Sequence, residues 1–391
     1  MLSAADDRRF SVAFVIDKYL PFIGGAERQA QLLARLVSDR LGHCEVFTAQ
    51  PDAESEASGV SVRSLGASGT HRLHHLVNFA KGFREFARRD RPPAIVHGHA
   101  LSGLVCGAVL AARLRGRATL LKVCSVGPQG DIAKLRRHPL GRWLWPLMRQ
   151  PGFFVVPTPS VRLEVMAAGV PSDRVAVIPN AVASIPSPPL GATGKTEARA
   201  ELGLPDRSTV LFVGRLSPEK GLDVLMRAWD QVAGQCDAIL VIVGVGSESP
   251  RLASWARESR HGERVRLVGA RRDVDRFYRA ADVLAVPSRT ETFSNVMAEA
   301  MVSGLAVVTT PVGLATHWIR HGEHGLIVRG EDGSEMAAAL AILVRDAALR
   351  ERLGVGARAR ALAAFSADSI VDRYLDLYER LAPMVVHPVM A

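Results

Sequence analysis

Phe10-Ser-Val-Ala-Phe-Val-Ile16, followed by a loop and then by Ala26 to Leu41 with Ala30, Leu33, Val37 and Leu41 on one stripe, reads as strand, loop, helix. The same alternation continues outward. Glu45-Val46-Phe47, Ala94-Ile95-Val96, Thr119-Leu120-Leu121, Phe153-Phe154-Val155-Val156 and Val175-Ala176-Val177-Ile178 are short apolar runs with helical stretches between them. Such an order implies a parallel sheet covered by helices. Ser184 to Gly194, rich in Pro, Gly and Ser and without apolar period, then interrupts it. After the break the alternation restarts with Val210 to Val213, Ile239 to Val243, Val265 to Val268, Val283 to Val286 and Ala306 to Thr309. The expected fold is α/β, with two Rossmann-like doubly wound domains at 1–183 and 196–365 joined by a linker at 184–195. Residues 366–391 form a final helix and tail, with Ile370, Tyr374, Leu377 and Leu381 on one face. That helix could pack on either domain, and a return to the N-terminal one is the expectation carried forward.

A chain of 391 residues exceeds the usual single core, and 48% hydrophobic with 23% charged residues is an ordinary globular composition. Met1 to Phe10 carries Asp6, Asp7, Arg8 and Arg9 and no long apolar stretch, so a secretory leader is not expected. Leu101 to Leu114, the longest nearly apolar run, falls short of the roughly 20 residues that span a bilayer. Cys44, Cys106, Cys124 and Cys236 are scattered without metal-ligand spacing, which suits a reduced cytoplasm and no metal site. The net charge of +10 is unevenly spread: residues 1–183 hold 24 Lys and Arg against 14 Asp and Glu, and residues 184–391 hold 25 against 25. Residues 63–149 alone hold 16 basic and 3 acidic residues, a field that attracts phosphates or an anionic surface. No nucleic-acid recognition motif accompanies it.

Ligands of open parallel sheets sit beyond the carboxyl ends of the strands, so the segments directly after strands carry the functional reading. Val213-Gly214-Arg215-Leu-Ser-Pro-Glu-Lys220-Gly221 places a guanidinium and an ammonium five residues apart before a helix, which suits a diphosphate. Gly244 and Gly246 form a Gly-x-Gly without the third glycine of a dinucleotide fingerprint, and taken alone a tight strand-to-helix turn explains them better than ligand binding. Val268 to Arg271 could offer backbone groups to a base. In Pro287-Ser-Arg-Thr-Glu291-Thr-Phe-Ser-Asn-Val-Met-Ala-Glu299 the two carboxylates stand eight positions apart. The spacing puts Glu291 in a loop and Glu299 about one turn inside a helix, so they can grip different hydroxyls of one extended ligand. The N-H groups of Phe293, Ser294 and Asn295 face an anion from that helix start.

Glu291-x7-Glu299 with Pro287-Ser288, Ala300-Met301 and Gly304, together with Gly214-Arg215-Leu216, Glu219-Lys220-Gly221 and Gly24-Gly25-Ala26-Glu27-Arg28, resembles the retaining family 4 glycosyltransferases of the two-domain GT-B fold. The resemblance covers nearly the whole chain in order. It implies that two domains face each other across a cleft, the N-terminal one on the acceptor side. It further implies that Arg215 and Lys220 hold the donor diphosphate, Glu291 the donor sugar and Glu299 the ribose. Gly24, Gly25, Gly214, Gly244, Arg271 and Phe293 to Asn295 would complete the donor site. His99, in Ile95-Val-His97-Gly-His99, resembles a strand-end histidine of the family that faces the cleft, and Lys122 and Ser125 are acceptor-side candidates. Many relatives carry a histidine where Cys124-Ser125 stands, a glycine after Pro179-Asn180, and glycines at Thr292 and Ser294.

The implied activity is transfer of a sugar, with retention, from a UDP- or GDP-linked donor to a saccharide or lipid-linked acceptor, with no separate cofactor and in polysaccharide or cell-envelope biosynthesis. Arg142-Trp143-Leu-Trp145-Pro-Leu-Met-Arg149 and Lys134-Leu-Arg-Arg137 mix cations with tryptophans, so docking on an anionic membrane at the inner face of the plasma membrane is a further expectation. The alternatives are a nucleotide-sugar-binding protein without catalysis, which Cys124-Ser125 motivates, and an epimerase of the same architecture.

Overall fold

The computed structural model describes residues 10–20, 24–50, 60–66, 74–128, 130–139, 141–150, 152–183 and 191–382. The chain divides into two compact units, Met1–Ala181 with Ala367–Ala391, and Val182–Ser366. Each carries one parallel sheet. Residues 184–190 of the expected linker lie outside the described residues, and its last part is already helical, because α7 (Ala192–Glu201) begins there.

In the first unit the strands are β1 (Val12–Ile16), β2 (Cys44–Thr48), β3 (Ser61–Ser64), β4 (Ile95–His99), β5 (Ala118–Lys122), β6 (Phe153–Val156) and β7 (Val175–Val177). Among the described residues they form a seven-stranded sheet in the order β3-β2-β1-β4-β5-β6-β7. The helices are α1 (Gly25–Leu41), α2 (His74–Arg88), α3 (Gly103–Leu114), α4 (Asp131–Arg137), α5 (Gly141–Met148) and α6 (Pro159–Ala167). Every residue of β1 is buried, alternating between the two faces: Ala13 and Val15 join the core under α3, and Val12, Phe14 and Ile16 join the core under α1. Sequence reading missed β3, an edge strand whose residues are mostly exposed and which therefore has no apolar alternation.

The second unit holds β8 (Ser208–Val213), β9 (Ala238–Val243), β10 (Val265–Gly269), β11 (Val283–Val286), β12 (Ala306–Thr309) and β13 (Leu326–Ile327), in the order β10-β9-β8-β11-β12-β13. Around them lie α7, α8 (Leu222–Ala233), α9 (Ser249–Glu258), α10 (Val274–Ala280), α11 (Asn295–Val302), α12 (Ala315–Trp318), α13 (Ser334–Arg345) and α14 (Ala347–Phe365). The strand order reverses direction between β8 and β11 here, and between β1 and β4 in the first unit. At such a switch point the loops leaving adjacent strands diverge and open a crevice.

The last helix, α15 (Ala367–Leu381), follows the second unit in sequence and packs on the first. Ile370, Val371, Tyr374, Leu377, Tyr378 and Leu381 are buried against Phe14, Ile95 and Leu120. Burial of each large apolar side chain contributes about 1.5–3 kcal/mol. Arg40 of α1 pairs with Asp368 at 2.8 Å and Asp372 at 2.7 Å on the outside of this contact.

Candidate active site

The switch point of the second unit brings the strongest sequence segments together. The loop after β8 carries Gly214, Arg215 and Lys220, and the loop after β11 carries Glu291. Lys220 Nζ lies 2.6 Å from Glu291 Oε1, and the same oxygen accepts a hydrogen bond from Ser288 Oγ at 2.9 Å. The backbones are as close as the side chains. Gly221 has φ +66°, and a Cβ there would stand 2.0 Å from the Pro287 carbonyl oxygen, so both the left-handed turn and the approach require glycine. Arg215 is largely exposed, 3.9 Å from Glu219, whose carboxylate is held by Ser217 Oγ at 2.6 Å.

Two further loops complete this rim. Gly214 N-H donates to Val243 O at 3.0 Å, Leu216 N-H to Val245 O at 3.0 Å, and Gly244 N-H to Gly269 O at 2.8 Å. A Cβ on Gly244 would lie 1.8 Å from Gly214 O, so this Gly-x-Gly is a close backbone crossing between neighbouring loops. Arg271 does not reach towards these loops with its guanidinium. Its fork closes on Asp273, at 2.8 and 2.7 Å, and holds that carboxyl down at about 2.

Asn295 begins α11, and Glu299 lies about one turn inside it. Glu299 Oε2 accepts from the Tyr278 hydroxyl of α10 at 2.8 Å, a partner that sequence reading did not identify. Phe293 is buried, edge-on to Phe365 at 5.2 Å and Trp318 at 6.2 Å, and its carbonyl accepts the Leu314 N-H at 2.8 Å. Ser294 caps α11 with φ +76°, a left-handed conformation that costs a residue with a Cβ about 1–2 kcal/mol.

The first unit corrects several expectations. His99 does not face open space at the strand end; it is fully buried, its ring centroid 4.5 Å from that of His97 and 5.5 Å from that of Phe14. The neighbouring His97 lies against α15: Tyr374 stacks on it, and the Tyr378 hydroxyl shares a 2.6 Å hydrogen bond with its Nδ1. Burial, with Lys122 nearby, pushes both imidazoles well below their ordinary range and keeps them neutral. Lys122 is buried beneath the same helix, its ammonium 5.6 Å from the Tyr374 ring centre, and burial brings it down to about 8. Ser125 is tied down by Asp131, which accepts from Ser125 Oγ at 2.6 Å and from the N-H groups of Ser125 and Cys124 at 3.1 and 2.7 Å. The half-buried Cys124 thiol is pushed up to about 12, chiefly by desolvation, so it is no thiolate at neutral pH. Gly24 caps α1 in an extended conformation open to any residue.

The two tryptophans of α5 part company. Trp145 is core, donating from Nε1 to Ala168 O at 3.0 Å, whereas Trp143 is 66% exposed with the Arg142 guanidinium 5.2 Å from its ring centre. Among the described residues no helix is long and apolar enough to cross a membrane, and no group of His, Cys, Asp and Glu has the arrangement of a metal site.

Residues 23–184 match the family model described as Glycosyltransferase Family 4, and residues 207–346 the one described as Glycosyl transferases group 1. A D-inositol 3-phosphate glycosyltransferase of Acidothermus cellulolyticus is 32% identical over 391 residues, covering 91% of this chain and 85% of the relative. The protein of the same name from Stackebrandtia nassauensis is 37% identical over 227 residues, 54% of this chain, and there the match spans about half the relative's length, 50%. HepE of Anabaena, solved with UDP-glucose, shares the fold: TM-score 0.77 at 19% identity, over 95% of this chain and 100% of HepE.

Proposed function

The chain belongs to glycosyltransferase family 4, and from that premise we propose that it moves a sugar from a nucleotide-sugar donor, bound by the second unit, to an acceptor bound by the first. The observation that carries this reading is the 2.6 Å pair of Lys220 and Glu291 at the switch point between β8 and β11. An ammonium there meets a diphosphate, and a carboxylate beside it accepts from sugar hydroxyls. Arg215, exposed on the same loop, adds a second cation, so a diphosphate can be neutralised by the protein alone. Glu299 takes the ribose, and the N-H groups of Phe293 to Asn295 take a phosphate oxygen. Arg271, closed on Asp273, contributes through its loop backbone rather than its side chain.

Transfer proceeds with retention. The bond from the anomeric carbon to the diphosphate oxygen breaks, that oxygen takes the proton of the acceptor hydroxyl, and the acceptor oxygen bonds to the same face. Arg215 and Lys220 stabilise the charge that develops on the leaving group, the term that counts most when it is stronger in the transition state than before it. With the His99 and Lys122 side chains buried, neither is a catalytic group of the acceptor side; the loop of Cys124 and Ser125 lies nearer the strand ends. UDP-glucose is the first donor to try and an inositol phosphate the first acceptor, with a lipid-linked saccharide the second.

The exposed Trp143 with Arg142, Lys134 and Arg136 supports a peripheral place on an anionic membrane, as basic residues meet acidic headgroups and tryptophan sits at headgroup depth. Mass spectrometry of the protein with UDP- and GDP-sugars, inositol phosphate and lipid extract tests the transferase reading. Release of one nucleotide with a glycosylated acceptor supports it; binding without release supports a non-catalytic binder, and an isomerised donor supports an epimerase.

A further inference from the structure

The loops that carry Lys220 and Glu291 are joined a second time by a residue outside the pair. Arg289, two positions before Glu291, sends its guanidinium fork to Asp223 in the first turn of α8: Nη1 to Oδ1 at 2.8 Å and Nη2 to Oδ2 at 2.8 Å. Nη1 also donates to the Pro218 carbonyl at 3.0 Å, and the Arg289 backbone N-H donates to the Glu219 carbonyl at 2.9 Å. These anchors bracket Lys220. On one side is Glu219, on the other Gly221, against which the Pro287 carbonyl closes. The Asp223 carboxyl is held down at about 2, chiefly by the Arg289 hydrogen bonds. Arg289 itself bonds to Pro218, Glu219 and Asp223 and to neither Lys220 nor Glu291.

A bidentate guanidinium–carboxylate pair fixes direction as well as distance, which a single ammonium cannot do. Displacing a reacting group by about 1 Å can cost on the order of 100-fold in rate. We propose that Arg289 is a positioning residue of the donor site: by clamping Asp223 and Pro218 it sets the spacing between the loop that presents Lys220 and the loop that presents Glu291, so that ammonium and carboxylate meet the nucleotide sugar already in register. This rests on the reading of those loops as the donor site. Arg227 also reaches Asp223, at 3.3 Å from the next turn of α8, so Asp223 keeps a cation when Arg289 is removed and the helix start is not left with an unpaired carboxylate.

The test compares Arg289→Ala, Arg289→Lys, Asp223→Ala and the double variant Arg289→Ala/Asp223→Ala with wild type in donor kinetics, thermal unfolding and hydrogen exchange. Arg289→Ala is expected to lower kcat about 30- to 100-fold, with donor KM within about threefold. Arg289→Lys should recover the melting temperature but less than a third of wild-type kcat, because it restores charge without the fork. The double variant should be no slower than Arg289→Ala, since the fork to Asp223 is already lost in Arg289→Ala. Amides of 214–221 and 287–295 should exchange faster together in Arg289→Ala. A kcat within threefold of wild type, full recovery by lysine, or losses that multiply in the double variant would overturn the proposal. If wild type turned over no nucleotide sugar, the transferase reading would fall. The clamp would then be decided by hydrogen exchange: coupled loosening of both loops upholds the loop linkage, and loosening of 287–295 alone refutes it.

Discussion

The Tyr278 hydroxyl donates to Glu299 Oε2 at 2.8 Å, linking α10 to a carboxylate one turn inside α11. A buried phenol thereby holds a half-buried carboxylate in one rotamer. If Glu299 grips a ribose, Tyr278→Phe frees its rotamer and should weaken binding of the free nucleoside diphosphate about 2- to 10-fold, and Glu299→Ala, which removes the acceptor itself, should weaken it more. Titration calorimetry with UDP and GDP checks the order. Equal affinities for wild type and both variants would remove Glu299 from the nucleotide site.

Ser294 holds φ +76° with no side-chain cap bond. Glycine there escapes the steric cost but gives the unfolded chain more freedom, and the two effects partly cancel. Ser294→Gly is expected to stabilise by about 0.5–1 kcal/mol. At Gly221, in contrast, a Cβ meets a carbonyl, and Gly221→Ala should destabilise. Urea unfolding that moved both variants in the same direction would contradict the assignment of strain.

Asp282 is the hub of a buried ion network near the start of β8. Its Oδ2 accepts from Arg199 Nη2 at 2.6 Å and from the Thr209 N-H at 2.8 Å, while Oδ1 pairs with Lys195 at 3.0 Å. Without Asp282 the buried Arg199 guanidinium keeps Asp206, at 2.8 Å, but the Thr209 N-H loses its acceptor, which costs about 1–3 kcal/mol. Asp282→Ala should therefore lower the stability of the second unit by that amount, read from its unfolding transition. A loss under about 1 kcal/mol would show that water already screens the site.

His97 and His99 are neutral in the folded chain and titrate near 6.5 when it is unfolded. As pH falls below about 6.5 the unfolded state binds protons that the folded state refuses, so stability falls, by at most about 1.4 kcal/mol per pH unit for each histidine. Above that pH neither imidazole contributes a slope. Lys122 acts at the other end: folded near 8 and ordinary at 10.5, it makes stability rise with pH between those values. Denaturant unfolding of the first unit between pH 5 and 7.5 should show a shallower acid limb in His99→Leu than in wild type. Equal limbs would mean that His99 takes up its proton while folded.

The sequence carried the periodic part of the fold, because a buried strand and an amphipathic helix write their burial into local pattern. Edge strand β3 has no buried face to write, and β13 has two residues, so neither was legible. The loops of Gly214 and Pro287 were legible as candidates, but their adjacency follows from the strand order β8-β11, which no local pattern encodes. Long-range partners were hidden for the same reason: Tyr278 for Glu299 and Arg289 for Asp223 each lie in another segment. The burial of His99 was not legible because its neighbour Phe14 comes from another strand, β1. Trp143 and Trp145 share a short helix, and only packing distinguishes the exposed one from the core one.

The most direct test of the account is the steady-state kinetics of Lys220→Ala with the donor that wild type consumes. If Lys220 stabilises the departing diphosphate, kcat should fall about 100- to 1000-fold while donor KM stays within a few-fold, the loss typical of one electrostatic donor to a developing charge. A raised KM with kcat intact would mean that Lys220 holds ground state and transition state equally, and the account of catalysis at the β8 and β11 loops would be wrong.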